Sequence, residues 1–228
     1  MITRRDIWKA IWLDENRAGT AAADFLRSLL KAPSAPQSSK GKYKVALVVG
    51  HNSKAPGAYA DSPIKESEYV LNGKVAEEMA QLAESDPDLE IKVFRRKPLK
   101  SYRGQIKEVY KRVNEWDPKV TLELHFNWLG GAGRIEMIHY PGSKHGENLA
   151  STLLTETSKE FSGVKKLLVR GAGDRGGLSL ASCKSPCVMT EPFDCSNERH
   201  RYEMKKLGHQ GLARINYNAV KIHLSNLS

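Results

Sequence analysis

The sequence predicts an α/β fold: a single twisted, mainly parallel sheet with helices on both faces, plus an N-terminal helical extension. Three observations carry this prediction. Short apolar runs alternate along the chain with stripes of helical period. A Pro-, Ser- and Gly-rich stretch at residues 32–42 has no periodicity and reads as a linker between residues 1–31 and a main domain of residues 43–228. The 228 residues are 40% hydrophobic and 27% charged, which suits one globular domain with an appendage and a core that needs no disulfides.

The elements follow in order. Ile7, Trp8, Ile11 and Trp12, then Phe25, Leu26, Leu29 and Leu30, fall at helical spacing, with Gly19-Thr20 dividing two helices. Their apolar stripes can pack as a hairpin, dock on the main domain or lie on a membrane surface; packing is the more frequent outcome for such stripes. Tyr43–Val49 reads as a buried strand ending at Gly50, and Glu68 to Leu82 as a helix with Leu71, Val75 and Met79 on one face. Leu89 to Phe94 is a strand, Gly104 to Trp116 a helix, and Val120 to Phe126 and Arg134 to His139 are strands. His145 to Phe161 is a helix, Cys187 to Thr190 a strand and 198–224 a long terminal helix. Strands alternating with helices imply a mainly parallel sheet covered on both faces.

Composition excludes several classes. The longest uncharged apolar run, Val45 to Val49, is far short of the roughly 20 residues of a membrane span. Arg4, Arg5, Asp6 and Lys9 interrupt the N-terminus, so a chain made in the cytoplasm without a signal peptide is expected. Three cysteines are too few for a cystine scaffold and suit reduced thiols, and Cys183, Cys187 and Cys195 lack the paired spacings of a structural zinc site. The net charge of +10 favours polyanions, such as anionic lipid or the phosphate-bearing polymers of an envelope. No ribonucleoprotein-type or zinc-finger spacing is present, so no specific nucleic-acid partner is expected.

In open α/β sheets, ligands bind beyond the carboxyl ends of the strands. His51 follows the first strand, His125 ends the run Leu122-Glu123-Leu124, and Glu191 ends the last strand. Two imidazoles and a carboxylate make a three-ligand zinc set that leaves a position for water.

The spacing then reaches a family. His51 is followed by Pro56-Gly57-Ala58. Glu68 opens a helix with Leu71, Asn72 and Val75. Leu124-His125-Phe126-Asn127 comes next, and finally Val188-Met189-Thr190-Glu191-Pro192-Phe193-Asp194-Cys195-Ser196-Asn197. This ordered set resembles the zinc-dependent N-acetylmuramoyl-L-alanine amidases of cell-separation, spore-lysis and phage-lysin type, over roughly residues 43–225. The resemblance implies zinc (Zn2+) held by His51, Glu68 and His125. Glu68 is preferred over Glu66 because Leu71 and Asn72 follow it at the family's spacing. It implies Glu191 as the catalytic acid–base, with Ser196-Asn197 in the family's positions. It also implies peptidoglycan as the substrate, the bond being the amide between N-acetylmuramic acid and L-alanine.

Two departures stand out: Pro192-Phe193 where the family has Gly-Phe, a form shared with phage-type lysins, and Asp194 where it is apolar. A phage or prophage endolysin acting in the periplasm or cell wall is the resulting expectation. A non-catalytic wall-binding module on the same fold, and a basic nucleic-acid binder, are the alternatives that zinc content and salt dependence separate. The glycine-rich loop Arg170 to Gly177 lacks the ending of a phosphate loop and is expected to wall the cleft, with Arg170 or Arg175 facing a substrate anion.

Overall fold

Burial on both faces is what the valine- and leucine-rich runs require, and the sheet supplies it. A computed structural model describes residues 41–227. Strands β1 (Tyr43–Val49), β4 (Leu89–Arg95), β5 (Val120–Leu124), β6 (Arg134–His139), β7 (Val164–Val169) and β8 (Cys187–Glu191) form a six-stranded sheet in the order β4-β1-β5-β8-β6-β7. Neighbouring strands pair in parallel, except for the antiparallel pair β6–β8. A separate two-stranded ribbon joins β2 (Tyr59–Ala60) to β3 (Glu66–Ser67).

Helices α1 (Glu68–Glu84), α3 (Lys144–Thr157) and α5 (Glu198–Ser225) cover one face. There Val75, Met79, Leu149, Leu153, Leu212 and Val220 pack on Leu47, Leu122 and Leu124. Helices α2 (Tyr102–Trp116) and α4 (Gly177–Ser182) cover the other, where Ile106, Val109, Tyr110, Val113 and Leu180 meet Ala46 and Val48. The mainly parallel sheet with helices on both faces is therefore present as expected.

The differences have local causes. Strand β7 went unread because it is an edge strand whose residues, Val-Lys-Lys-Leu-Leu-Val, are nearly all exposed, so no alternation is imposed on them. Helix α4, at six residues, is too short to show a period. Helix α3 stops at Thr157 rather than Phe161, and the Phe161 ring instead stacks on Phe193 with centroids 5.7 Å apart. The expected helices within residues 2–31, and the linker up to residue 40, lie outside the described residues. Among the described residues, no helix is long and apolar enough to cross a membrane.

This topology brings distant segments to one edge. The parallel strands β1, β5 and β8 all end there, and antiparallel β6 begins there, with Glu136 opposite Glu191. Leu122 sits fully buried at the centre of this arrangement, whereas Val169 on the edge strand is 56% exposed. Leu122→Ala should cost about 2–5 kcal/mol of unfolding free energy, whereas Val169→Ala should stay within about 0.5 kcal/mol of the parent. Urea denaturation of both variants checks this contrast.

Candidate metal centre and cleft

At the end of β1 the chain passes through Gly50, whose N–H donates to the Leu124 carbonyl at 3.0 Å. A Cβ at Gly50 would lie 2.5 Å from His125 Cε1, so the two strand ends can approach this closely only without a side chain there. His51 follows in the left-handed region, with φ 64°. A non-glycine residue in that conformation is a strained turn of the kind found at functional sites.

Glu68 is the first residue of α1, where the helix N-terminus favours a negative charge. Its Oε1 lies 2.7 Å from His125 Nδ1 and accepts the Phe126 N–H at 3.1 Å. Its Oε2 lies 3.1 Å from His51 Nε2 and accepts the Ala58 N–H at 3.3 Å. Burial by itself would push this carboxyl up, but the hydrogen bonds of His125 and His51 outweigh it and hold Glu68 well below the usual carboxylate range.

His51, Glu68 and His125 each offer a donor atom, all within 4.8 Å of one another. Two imidazoles and one carboxylate are a donor set suited to zinc. The surroundings leave the set clear: a Cβ at Gly57, which has φ +80°, would lie 2.6 Å from Glu68 Oε2 and 2.7 Å from His51 Cδ2. Glu66, the competing glutamate, is engaged elsewhere, with Lys74 Nζ at 2.7 Å and His209 Nε2 at 3.1 Å.

Beneath His125 is a polar layer that sequence reasoning missed. Its Nε2 lies 3.4 Å from Glu123 Oε1 and 3.5 Å from Arg96 Nη2. Arg96 and Glu123 form a buried ion pair. Glu123 also accepts from the Tyr110 hydroxyl at 2.8 Å and from Ser179 Oγ at 3.2 Å. Groups facing the outer nitrogen of a ligating histidine fix its ring. The signal was present in the sequence: Glu123 is a charge at an inward position of the otherwise uncharged run Val-Thr-Leu-Glu-Leu, two residues before His125.

Glu191 ends β8 in a different setting. Its Oε2 is sealed from solvent and has no hydrogen-bond partner. Burial, reinforced by the charges of Glu68 and Glu136 and opposed by His125 and Arg175, pushes its carboxyl up to about 8. His51, Glu68, His125, Arg96 and Glu191 all line one cleft of about 620 Å³. Trp128 and Tyr102, about half exposed, also line it, as do Arg170 and Arg175 of the glycine-rich loop. Arg170 Nη1 donates to the Arg175 carbonyl at 2.7 Å, which holds that loop in its turn. Asp194, the unexpected charge, is fully buried and accepts from the N–H groups of Leu129, Gly133 and Ser196 at 3.0–3.1 Å. It therefore clamps the loop that follows His125.

A family model described as N-acetylmuramoyl-L-alanine amidase matches residues 45–221. No curated protein matches the chain. Several solved structures share its fold. The catalytic domain of the CD27L endolysin, which targets Clostridia difficile, is 24% identical with a TM-score of 0.65, over 78% of this chain and 97% of that one. An N-acetylmuramoyl-L-alanine amidase from Clostridium difficile 630 is 16% identical with a TM-score of 0.67, over 82% and 100%. The catalytic domain of the amidase CwlV from Bacillus (Paenibacillus) polymyxa var. colistinus is 17% identical with a TM-score of 0.66, over 80% and 98%.

Two outcomes are expected. Gly57→Ala should weaken divalent-metal binding about 10–100-fold by calorimetry, the range seen when groups around ligands are disturbed. Gly173→Ala, where an added Cβ meets nothing within 4 Å, should leave binding unchanged. The second outcome concerns pH in the chelator-treated chain. The folded Glu191 carboxyl titrates near 8, above its ordinary value of 4.5, so the protonated form favours folding. Its contribution is complete below about 4.5 and is lost as pH rises through about 8. Glu191→Gln should therefore raise the melting temperature relative to the parent at pH 8 and change it little at pH 4.

Proposed function

The chain belongs to the N-acetylmuramoyl-L-alanine amidase family, and from that premise we propose that it hydrolyses, with zinc, the amide joining N-acetylmuramic acid to L-alanine in peptidoglycan. One observation carries this reading. A single cleft holds a His51–Glu68–His125 donor set beside a separate carboxylate, Glu191, whose buried oxygen has no partner. The donor set accounts for a metal, and the unpartnered carboxylate for a proton carrier.

Zinc, when bound by His51, Glu68 and His125, supplies Lewis acidity that polarises the scissile carbonyl and acidifies water. The remaining work falls to the chain's own groups. An amide has a poor leaving group, so the attacking water must lose a proton and the departing nitrogen must gain one. Glu191, as the carboxylate, takes the proton from water while the new C–O bond forms. The same carboxyl then gives that proton to the alanine nitrogen as the C–N bond breaks. A pKa pushed up towards neutrality suits a group that performs both transfers. Glu123 and Arg96 hold the His125 ring in place from behind.

The endolysin role, with action at the periplasmic or cell-wall face of the host, is supported by the Pro192-Phe193 pair and by the likeness in fold to an endolysin catalytic domain. Anionic polymers of the envelope are a second partner class suited to a net charge of +10.

Glu191→Gln should lower the release of new alanine amino groups from purified peptidoglycan about 10²–10⁴-fold, with zinc content unchanged. His125→Ala should lose both zinc and activity. Wild-type turnover by Glu191→Gln would remove the acid–base role, and loss of its zinc would make Glu191 a ligand.

A further inference from the structure

Thr121, Glu123 and His125 occupy alternate positions along β5 and just beyond it, so they share one face of the sheet. At the end of that face away from the metal centre, Thr121 meets two cysteines. Cys183 caps the C-terminus of α4 and Cys187 opens β8. The turn between them, Lys184-Ser185-Pro186, is held by Asn114: its Nδ2 donates to the Ser182 carbonyl and its Oδ1 accepts the Lys184 N–H, both at 2.9 Å.

Cys187 is the register partner of Thr121, and Cys183 Sγ lies 3.4 Å from Thr121 Oγ1. Both cysteines belong to the core layer under α2 and α4, and each is near enough to the other to shift its thiol. The third cysteine, Cys195, lies in the core on the opposite face of the sheet.

We propose that Cys183 and Cys187 form a redox-active dithiol that closes to an intramolecular disulfide. The two thiols are not equivalent. The neighbouring Cys187 thiol, helped by Ser185 and Thr121, brings Cys183 down to about 6, while Cys187 is pushed well above its ordinary value. Cys183 is thus the attacking thiolate and Cys187 the resolving thiol.

The oxidant is a small disulfide of the glutathione class. Cys183 Sγ attacks one of its sulfurs, breaking its S–S bond and releasing one thiol. Cys187 Sγ, giving up its proton, then attacks Cys183 Sγ and releases the second. One disulfide is reduced to two thiols and one forms in the protein. Beside the turn, a groove of about 580 Å³ is lined by Lys42, Lys44, Lys119 and Lys184 and offers a basic approach for such an anion.

The pair is in contact with the floor of the metal centre. Cys187 Sγ lies 3.7 Å from the Tyr110 hydroxyl, which donates to Glu123 beneath His125. Closing the disulfide also ties the end of α4, which carries Ser179, to the start of β8, which ends in Glu191. Peptidoglycan lies outside the cytoplasmic membrane, so a chain acting on it passes from a reducing to an oxidising compartment. That consequence rests on the amidase reading, whereas the thiol chemistry does not.

The test equilibrates the full chain in glutathione buffers of rising oxidised fraction, quenches in acid, unfolds, alkylates with a maleimide and maps tryptic peptides. Cleavage after Lys184 separates Cys183 from Cys187, and a second digestion before Asp194 separates Cys187 from Cys195, so the disulfide shows as two joined peptides that exclude Cys195. Expected is the joint loss of Cys183 and Cys187 from the three alkylatable thiols, reversed in reducing buffer, with Cys195 still alkylated. Cys183→Ala should leave Cys187 free throughout. Three alkylated thiols in the most oxidising buffer, a glutathione adduct persisting on Cys183, or a crosslink containing Cys195 would each overturn the proposal. The wild-type map decides alone if the variant does not fold.

Discussion

The buried carboxylate of Glu68 is the constraint on which the site depends. An ionised carboxylate without partners is far too costly to bury, so it must be satisfied where it stands. Glu68 is satisfied by two imidazoles and two backbone N–H groups. These four donors come from the turn after β1, the segment before β2 and the end of β5. Satisfying one carboxylate therefore draws three separate segments onto the start of α1. The absence of side chains at Gly50 and Gly57 follows, because a Cβ at either would strike His125, or His51 and Glu68.

The two glutamates of the cleft are driven in opposite directions. Glu68 receives hydrogen bonds that favour its charge, whereas the Glu191 oxygen is buried without a partner near two other carboxylates. Pairs of carboxyls separated in this way divide their tasks: one holds charge permanently and the other moves a proton. The antiparallel entry of β6 contributes directly, since it brings Glu136 opposite Glu191 and adds negative charge where β8 ends.

A second buried charge supports the first. The Arg96–Glu123 pair adds little net stability, yet removing one partner from such a pair typically costs about 3–5 kcal/mol because it strands the other. In return Glu123 touches Tyr110, Ser179 and His125, so helices α2 and α4 are linked to the orientation of the His125 imidazole. The cysteine pair at the far end of the same face reaches this layer through Tyr110.

Much of this was legible from local pattern. Strand β1, helices α1 and α2 and the start of β5 declare themselves by apolar period, and His51, His125 and Glu191 follow from reading the residues at strand ends. Strand β7 and helix α4 were not legible, one because an exposed edge imposes no alternation and the other because six residues hold too little period. Strand-end reading also offered Glu191 as the carboxylate of the donor set, and only family spacing put Glu68 forward. Period and residue type determine which side of an element is buried and which chemistry it carries, because those depend on neighbours in the chain. Which glutamate meets the imidazoles, and which charge lies beneath His125, depends on how the turn after β1 closes on the start of α1 and how α2 packs on β5. Those are contacts between segments tens of residues apart, and the tertiary structure alone decided them.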